Sequence, residues 1–244
     1  MKKQFLLIGF LAFTAACNLA SPTPQVESTP MATLPPTLAP ATTTPTVIPT
    51  VTNTPPPPRY FTDEFDTPTA FWEFLQTGGP SSPQTLFANG SLHIDIPSAD
   101  TWSMGIHTGN TYSNIIVRAK VSASAAGSVG LICRYDESTG WYEFNIDSQG
   151  TYILLLVRWL SPDIAKYIPV ASGENGQLPV GNVNTELQLS CEENLLSLYA
   201  NGALLKRLDV TNYGLTEGKI GITAATYRES PMTALFEWVQ VSEQ

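Results

Sequence analysis

Read by hydrophobic and polar positions, the chain falls into two textures. From about residue 59 onward, short apolar runs recur and turn residues separate them. The runs include SLHIDI, WSMGI, NIIVRAKV, SVGLICRY, WYEFNID, TYILLLVRW, NTELQLSC, LLSLYA, ALLKRLDV, KIGITAATY and ALFEWVQV. Between them lie Asn89-Gly90, Ser138-Thr139-Gly140, Gln149-Gly150, Asn194, Asn201-Gly202 and Glu217-Gly218. Asn-Gly between apolar runs is a strong hairpin signal, and no window carries a long helical period with caps at both ends. The pattern predicts an all-β domain over residues 59–244, an antiparallel β-sandwich.

One hairpin can be drawn in detail. With Gln149-Gly150 as a two-residue turn, Ser148 faces Thr151 and Phe144 faces Leu155. Tyr142, Phe144, Ile146, Ile153, Leu155 and Val157 then form a core face. The opposite face holds Trp141, Glu143, Asn145 and Asp147 beside Tyr152, Leu154, Leu156 and Arg158. A face in plain contact with water has no use for two leucines, so it is either half covered or a recognition surface.

The region before residue 59 has a different composition. Residues 18–58 are mostly Pro, Thr, Ala, Ser, Val and Leu, with Glu27 as the one charge. Such a segment has too little bulky apolar surface to offset its ordering entropy, and its prolines favour extended conformers. It is expected to be a disordered stalk reaching on the order of 100 Å when extended. Residues 1–16 have the layout of a secretory signal: Lys2 and Lys3, an apolar run over 5–13, then Thr14, Ala15 and Ala16 before Cys17. The run is too short to span a bilayer.

The small-small-Cys ending resembles the lipobox of bacterial lipoproteins, with Thr14 where the pattern usually has Leu. That resemblance implies cleavage before Cys17, acylation of its sulfur and a place on the extracytoplasmic face of the cell membrane. The other reading is an ordinary signal with Cys17 a bystander. Two acyl chains hold a protein stably on a bilayer where one does not. The expected order is therefore a signal at 1–16, a lipidated Cys17 and stalk at 17–58, and the sandwich at 59–244. With Cys17 lipidated, two of the three cysteines remain, Cys133 and Cys191. In an exported domain they are expected to pair. The alternative is two buried free thiols.

The formal net charge of −9 repels phosphate backbones and excludes nucleic acid as an expected partner.

Four blocks then occur in order: GLICRYD with WYEFNID, LQLSCEENLLSLYANG, GKIGITAATY and ALFEWVQV, after an opening TDEFD at 62–66. Their succession resembles the concanavalin A-like (laminin G-like) jelly-roll superfamily over nearly the whole domain. The resemblance implies the fold but not the activity, because the group hosts lectins, carbohydrate-binding modules, glycosidases and adhesion modules.

The chemistry in the sequence points more to binding than to catalysis. The two histidines, His93 within SLHIDI and His107 read as following a strand at a loop, lack metal-ligand spacing. Glu143 is the candidate acid, yet Asp147 on the same strand would lie ~13 Å away. Glycosidase carboxyl pairs sit ~5 Å apart or under ~10 Å. The endoglucanase branch of the resembling superfamily carries Glu-x-Asp-x-x-Glu, and here Asn145 takes the middle place and the third acid is missing. For binding, Trp102, Trp141, Trp159 and Tyr199 are candidate stacking platforms for sugar rings. Arg134, Glu143, Asn145 and Arg158 are candidate hydroxyl partners. Asp63, Glu64, Asp66 and Glu237 are candidate calcium ligands, since first and last strands are neighbours in the resembling jelly rolls. The expected function is non-catalytic glycan binding. The alternatives are a glycan hydrolase acting through Glu143, keto-glycoside or endoglucanase-like, and a protein-binding adhesion or structural lipoprotein.

Overall fold

A computed structural model describes residues 56–124 and 127–244. The signal segment, Cys17 and all of the stalk before residue 56 lie outside the described residues.

Among the described residues, fifteen strands follow in chain order. They are β1 (Phe61–Asp63), β2 (Trp72–Gly78), β3 (Gln84–Phe87), β4 (Leu92–Ile96), β5 (Thr101–Tyr112), β6 (Ile115–Ala123), β7 (Gly127–Asp136) and β8 (Gly140–Asp147). Then come β9 (Thr151–Ser161), β10 (Ile164–Glu174), β11 (Val183–Glu192), β12 (Leu195–Ala200), β13 (Ala203–Asp209), β14 (Gly218–Thr226) and β15 (Met232–Ser242), with one 3-10 turn at Thr211–Tyr213. They build two antiparallel sheets. One has seven strands in the order β10-β9-β8-β7-β14-β5-β2; the other has eight, β13-β12-β11-β6-β15-β4-β3, with β1 also on β15.

The strands form where side chains alternate. In β6 every second residue, from Ile115 to Ala123, is buried and the ones between are half-buried. Such alternation is what a strand with one covered face requires. Between the sheets Leu131, Phe144, Leu154, Ile222, Leu189 and Val117 are among a continuous apolar core. The expected disulfide is present: Cys133 on β7 joins Cys191 on β11 and ties sheet to sheet through that core.

The β8–β9 hairpin differs from expectation by one residue. Phe144 pairs with Leu154 and Ile146 with Tyr152. The loop is therefore the three residues Ser148, Gln149 and Gly150. Gly150 supplies the left-handed conformation at φ 78°. The Asp147 carboxylate accepts the backbone N–H groups of Gln149 at 2.9 Å and Thr151 at 3.1 Å, and this closes the longer loop. A slip of one residue exchanges the faces of a strand. Tyr152, Leu154 and Leu156 accordingly join the core between the sheets, while Leu155 and Val157 join a second cluster on the other side of the seven-stranded sheet.

That second side is concave. The sheet curls until its edge strands meet, with Tyr167 Oη of β10 and Thr77 Oγ1 of β2 sharing a hydrogen bond at 2.6 Å.

Candidate functional site

Strand pairing brings Trp141, Glu143 and Asn145 of β8 onto the concave face. Gly130 and Ile132 of β7 and Thr223 of β14 sit beside them. Glu143 has no exposed surface. Trp141 Nε1–H donates to its Oε2 at 2.9 Å, while Asn145 Nδ2 at 2.6 Å and Thr223 Oγ1 at 3.2 Å donate to Oε1. Burial pushes the carboxyl pKa up, and the three donors pull the other way. Above the network lie the rings of β10 and β5: Trp102 stacks on Tyr167 with centroids 4.8 Å apart. The edge of Tyr167 meets Trp141 at 6.3 Å. Burial raises the Tyr167 phenol, with Glu143 adding in the same direction, so the covering hydroxyl stays neutral.

The expected binding residues therefore separate. Trp102, Trp141, Glu143, Asn145 and Trp159 do share one face. However, Trp141, Glu143 and Asn145 are buried within it and present nothing to a ligand. Asp147, the other acid of that strand, is committed to the hairpin loop. Arg134, only 1 % exposed, donates to the carbonyl oxygens of Leu215 at 2.9 Å and Ser113 at 3.3 Å, and also to that of Glu193. It straps loops together rather than meeting a sugar. Arg158 does the same with the carbonyls of Thr139 and Tyr213. Tyr199 belongs to β12 in the other sheet, where its neighbours Leu198 and Ala200 take the core side. It is remote from the concave face.

One end of that face is open. Trp159, half-buried, stands 4.9 Å from Trp141 and 6.5 Å from Tyr135, centroid to centroid. Its ring borders a pocket of about 420 Å³ with Tyr135, Leu75, Leu160, Glu137 and Asp163. Leu160 is 65 % exposed and Ile164, in the same turn region, 57 %. Glu137 pairs with Lys219, which lowers its pKa. Burial, helped by Glu137, Glu73 and Asp136, pushes Tyr135 up to about 12, so its hydroxyl remains a donor at any ordinary pH. Asp136 folds back onto Ser138 and Thr139, whose hydroxyl and backbone donors lower it to about 2 and fix the turn. The aromatic wall, the apolar lip and the polar groups at the edge suit a ring with one apolar and one hydroxylated face. Tyr135, Glu137 and Asp163 were missed in the sequence. Tyr135 sits at a break in the β7–β8 register, where alternation gives no guide.

The four acidic residues do not converge on a cation. Asp63 is taken up by the Phe65 N–H at 2.9 Å and Trp72 Nε1–H at 2.8 Å. Glu64 and Asp66 stand between two open pockets, one shared with Asp63 and the other with Glu237. Among the described residues, no group of three or more metal-ligating side chains is placed to hold a metal ion. The expected calcium site is not formed.

Solved structures place this architecture. A Bacillus subtilis protein of unknown function with a galectin-like fold superposes at TM-score 0.57 and 16 % identity, over 75 % of this chain and 94 % of that one. The shared fold is a two-sheet antiparallel β-sandwich. A glycoside hydrolase family 16 protein from Bacteroides ovatus, in complex with a G4G4G3G product, superposes at 0.55 with 8 % identity, over 75 % and 99 %. A prokaryotic β-1,3-1,4-glucanase from a mouse hindgut metagenome gives 0.54 and 12 %, over 76 % and 99 %. At such identities the likeness is one of fold. No family profile and no curated protein matches the sequence.

Proposed function

We propose that the chain is a lipid-anchored module, held on the extracytoplasmic face of the cell membrane, that binds carbohydrate without cleaving it. The observation that carries this is the open pocket at Trp159 and Tyr135. It offers an aromatic surface for the C–H face of a sugar, with Glu137, Asp163 and Ser138 as polar residues of the same lining. The sealing of Glu143 favours binding over hydrolysis, since a general acid must reach the glycosidic oxygen. The Pro/Thr stalk and Cys17 suit display at a distance from the membrane.

Asn53–Gln244 forms a unit of its own with a complete core, so the test can use it without the anchor. Binding to at least one oligosaccharide on a glycan array is expected, with Trp159→Ala weakening it about tenfold or more. Silence across the array, or an unchanged affinity in Trp159→Ala, overturns the reading. Release of reducing ends from a bound glucan overturns its non-catalytic part.

A further inference from the structure

A second pocket lies at the seam between the sheets, away from the concave face. Phe61 of β1 belongs to the eight-stranded sheet, and His107 of β5 to the seven-stranded one. Their rings meet with centroids 4.4 Å apart. Phe71 at 5.9 Å and Trp72 at 5.3 Å complete an aromatic surround for the imidazole. His107 was expected at a loop after a strand. It lies inside β5 and is 3 % exposed. Gly109, two residues on, lets the incoming chain press close, because a Cβ there would meet Pro57 Cγ at 2.2 Å. The result is an open pocket of about 390 Å³.

Two residues that line this pocket each carry a buried polar atom with no hydrogen-bond partner among the described residues: Nδ1 of His107 and Oγ1 of Thr69. Leaving such atoms unpaired is costly, and a pair of them beside one pocket points to something that normally satisfies them. Among the described residues, Asp63, Glu64 and Asp66 line the same pocket and no lysine or arginine does. Neither ion pair of the described residues involves these three acids.

We propose that this pocket binds a small molecule through a primary ammonium group. Each part of the lining has a use for that chemistry. Desolvation holds His107 near a pKa of about 4 despite the nearby Asp63, so the ring is neutral at ordinary pH. Protonated at Nε2, it offers the Nδ1 lone pair to an N–H. Thr69 Oγ1 accepts a second N–H, and the carboxylates supply the opposing charge. The rings of Phe61 and Phe71 hold the alkyl part and favour a cation over their faces. An anion would meet three carboxylates. A quaternary ammonium has no N–H and would leave the two buried acceptors unpaired. A metal ion does not fit, since the carboxylates do not converge.

The sequence has two histidines, so imidazole nitrogen NMR reads this site directly. Titration with n-propylamine should move the His107 Nδ1 resonance saturably and leave His93 unmoved. n-Propanol and tetramethylammonium should bind at least tenfold more weakly. Thr69→Val, at a half-buried loop position that leaves the aromatic surround intact, should weaken propylamine about tenfold. A resonance that does not move overturns the proposal. So does an equal response to the alcohol or the quaternary ion, or an unchanged affinity in Thr69→Val.

Discussion

The seven-stranded sheet buries one face and, apart from its open end at Trp159, most of the other, and the two are built from different chemistry. The face toward the second sheet is apolar across Val129, Leu131, Phe144, Leu154, Ile222 and Ala224. The concave face interleaves Met104, Ile106, Ile132 and Leu155 with the buried polar residues Thr77, Ser128, Glu143, Asn145 and Thr223. An apolar layer needs only volume and shape, so it tolerates exchange among similar side chains. A buried polar layer needs every donor and acceptor paired, and so it specifies particular residues. The contrast teaches that the inner layer sets stability, whereas the concave layer sets which groups must sit together under the Tyr167–Thr77 closure.

The largest expected effect lies in the inner layer. Replacing Cys133 and Cys191 together by Ala releases a cross-link spanning 58 residues. The chain-entropy treatment puts that at about 4 kcal/mol, read as a fall in the unfolding free energy in urea without reductant. The concave layer should be untouched, so glycan affinity in the surviving folded fraction should stay constant. A loss below about 1 kcal/mol would show that the core, not the bridge, joins the sheets.

The next effect compares neighbouring positions that point opposite ways. Trp141→Phe removes the donor to Glu143 Oε2 and leaves a buried carboxylate oxygen short of a partner, at about 1–3 kcal/mol. Phe144→Leu, on the apolar side of the same strand, changes only packing, at about 1 kcal/mol. Thermal unfolding of the two variants ranks them. If Phe144→Leu costs the more, the polar network is not the demanding layer.

Most of the inner layer was legible in the sequence. β6, β11 and β15 follow from alternation, β7, β12 and β14 from short apolar runs bounded by turn residues, and Cys133–Cys191 from the two cysteines left over after Cys17. The concave layer was legible in part. Trp141, Glu143 and Asn145 were placed together, since a strand puts alternate residues on one face whatever its surroundings. What covers them was hidden. β10 is an edge strand with Lys166 and Pro169 in it and no buried residue, so nothing in its pattern announces that Tyr167 crosses the sheet to Thr77. The hairpin register was missed for a local reason. Gln149-Gly150 looks like a two-residue turn, but the Asp147 side chain and backbone bonds from Gly181 to Ser148 and from Asn175 to Gly150 close a three-residue loop instead. Arg134 misled for a different reason. Its φ of 55° sits at a register break, where alternation no longer tells which way a side chain goes.

The smallest expected effect is a change of slope, and it tests the concave layer most directly. Burial raises the Glu143 pKa in the folded chain above its unfolded value of ~4.3, against the pull of Asn145, Trp141 and Thr223. Between those two values the folded state holds more proton than the unfolded one. Unfolding free energy therefore falls as pH rises through that window and stays lower above it. Glu143→Gln carries no such proton. Its amide can accept from Trp141 and donate to Asn145 Oδ1 once the Asn145 amide turns, and among the described residues that oxygen is buried without a partner. The stability difference, variant minus parent, should thus be level at acid pH and grow in the variant's favour as pH rises from about 4 toward neutrality. Urea midpoints for the two proteins across that range measure it, and contributions common to both, such as Asp136, cancel. A difference independent of pH would mean that the three donors offset burial in full, and the concave face would then be as well satisfied as the apolar one.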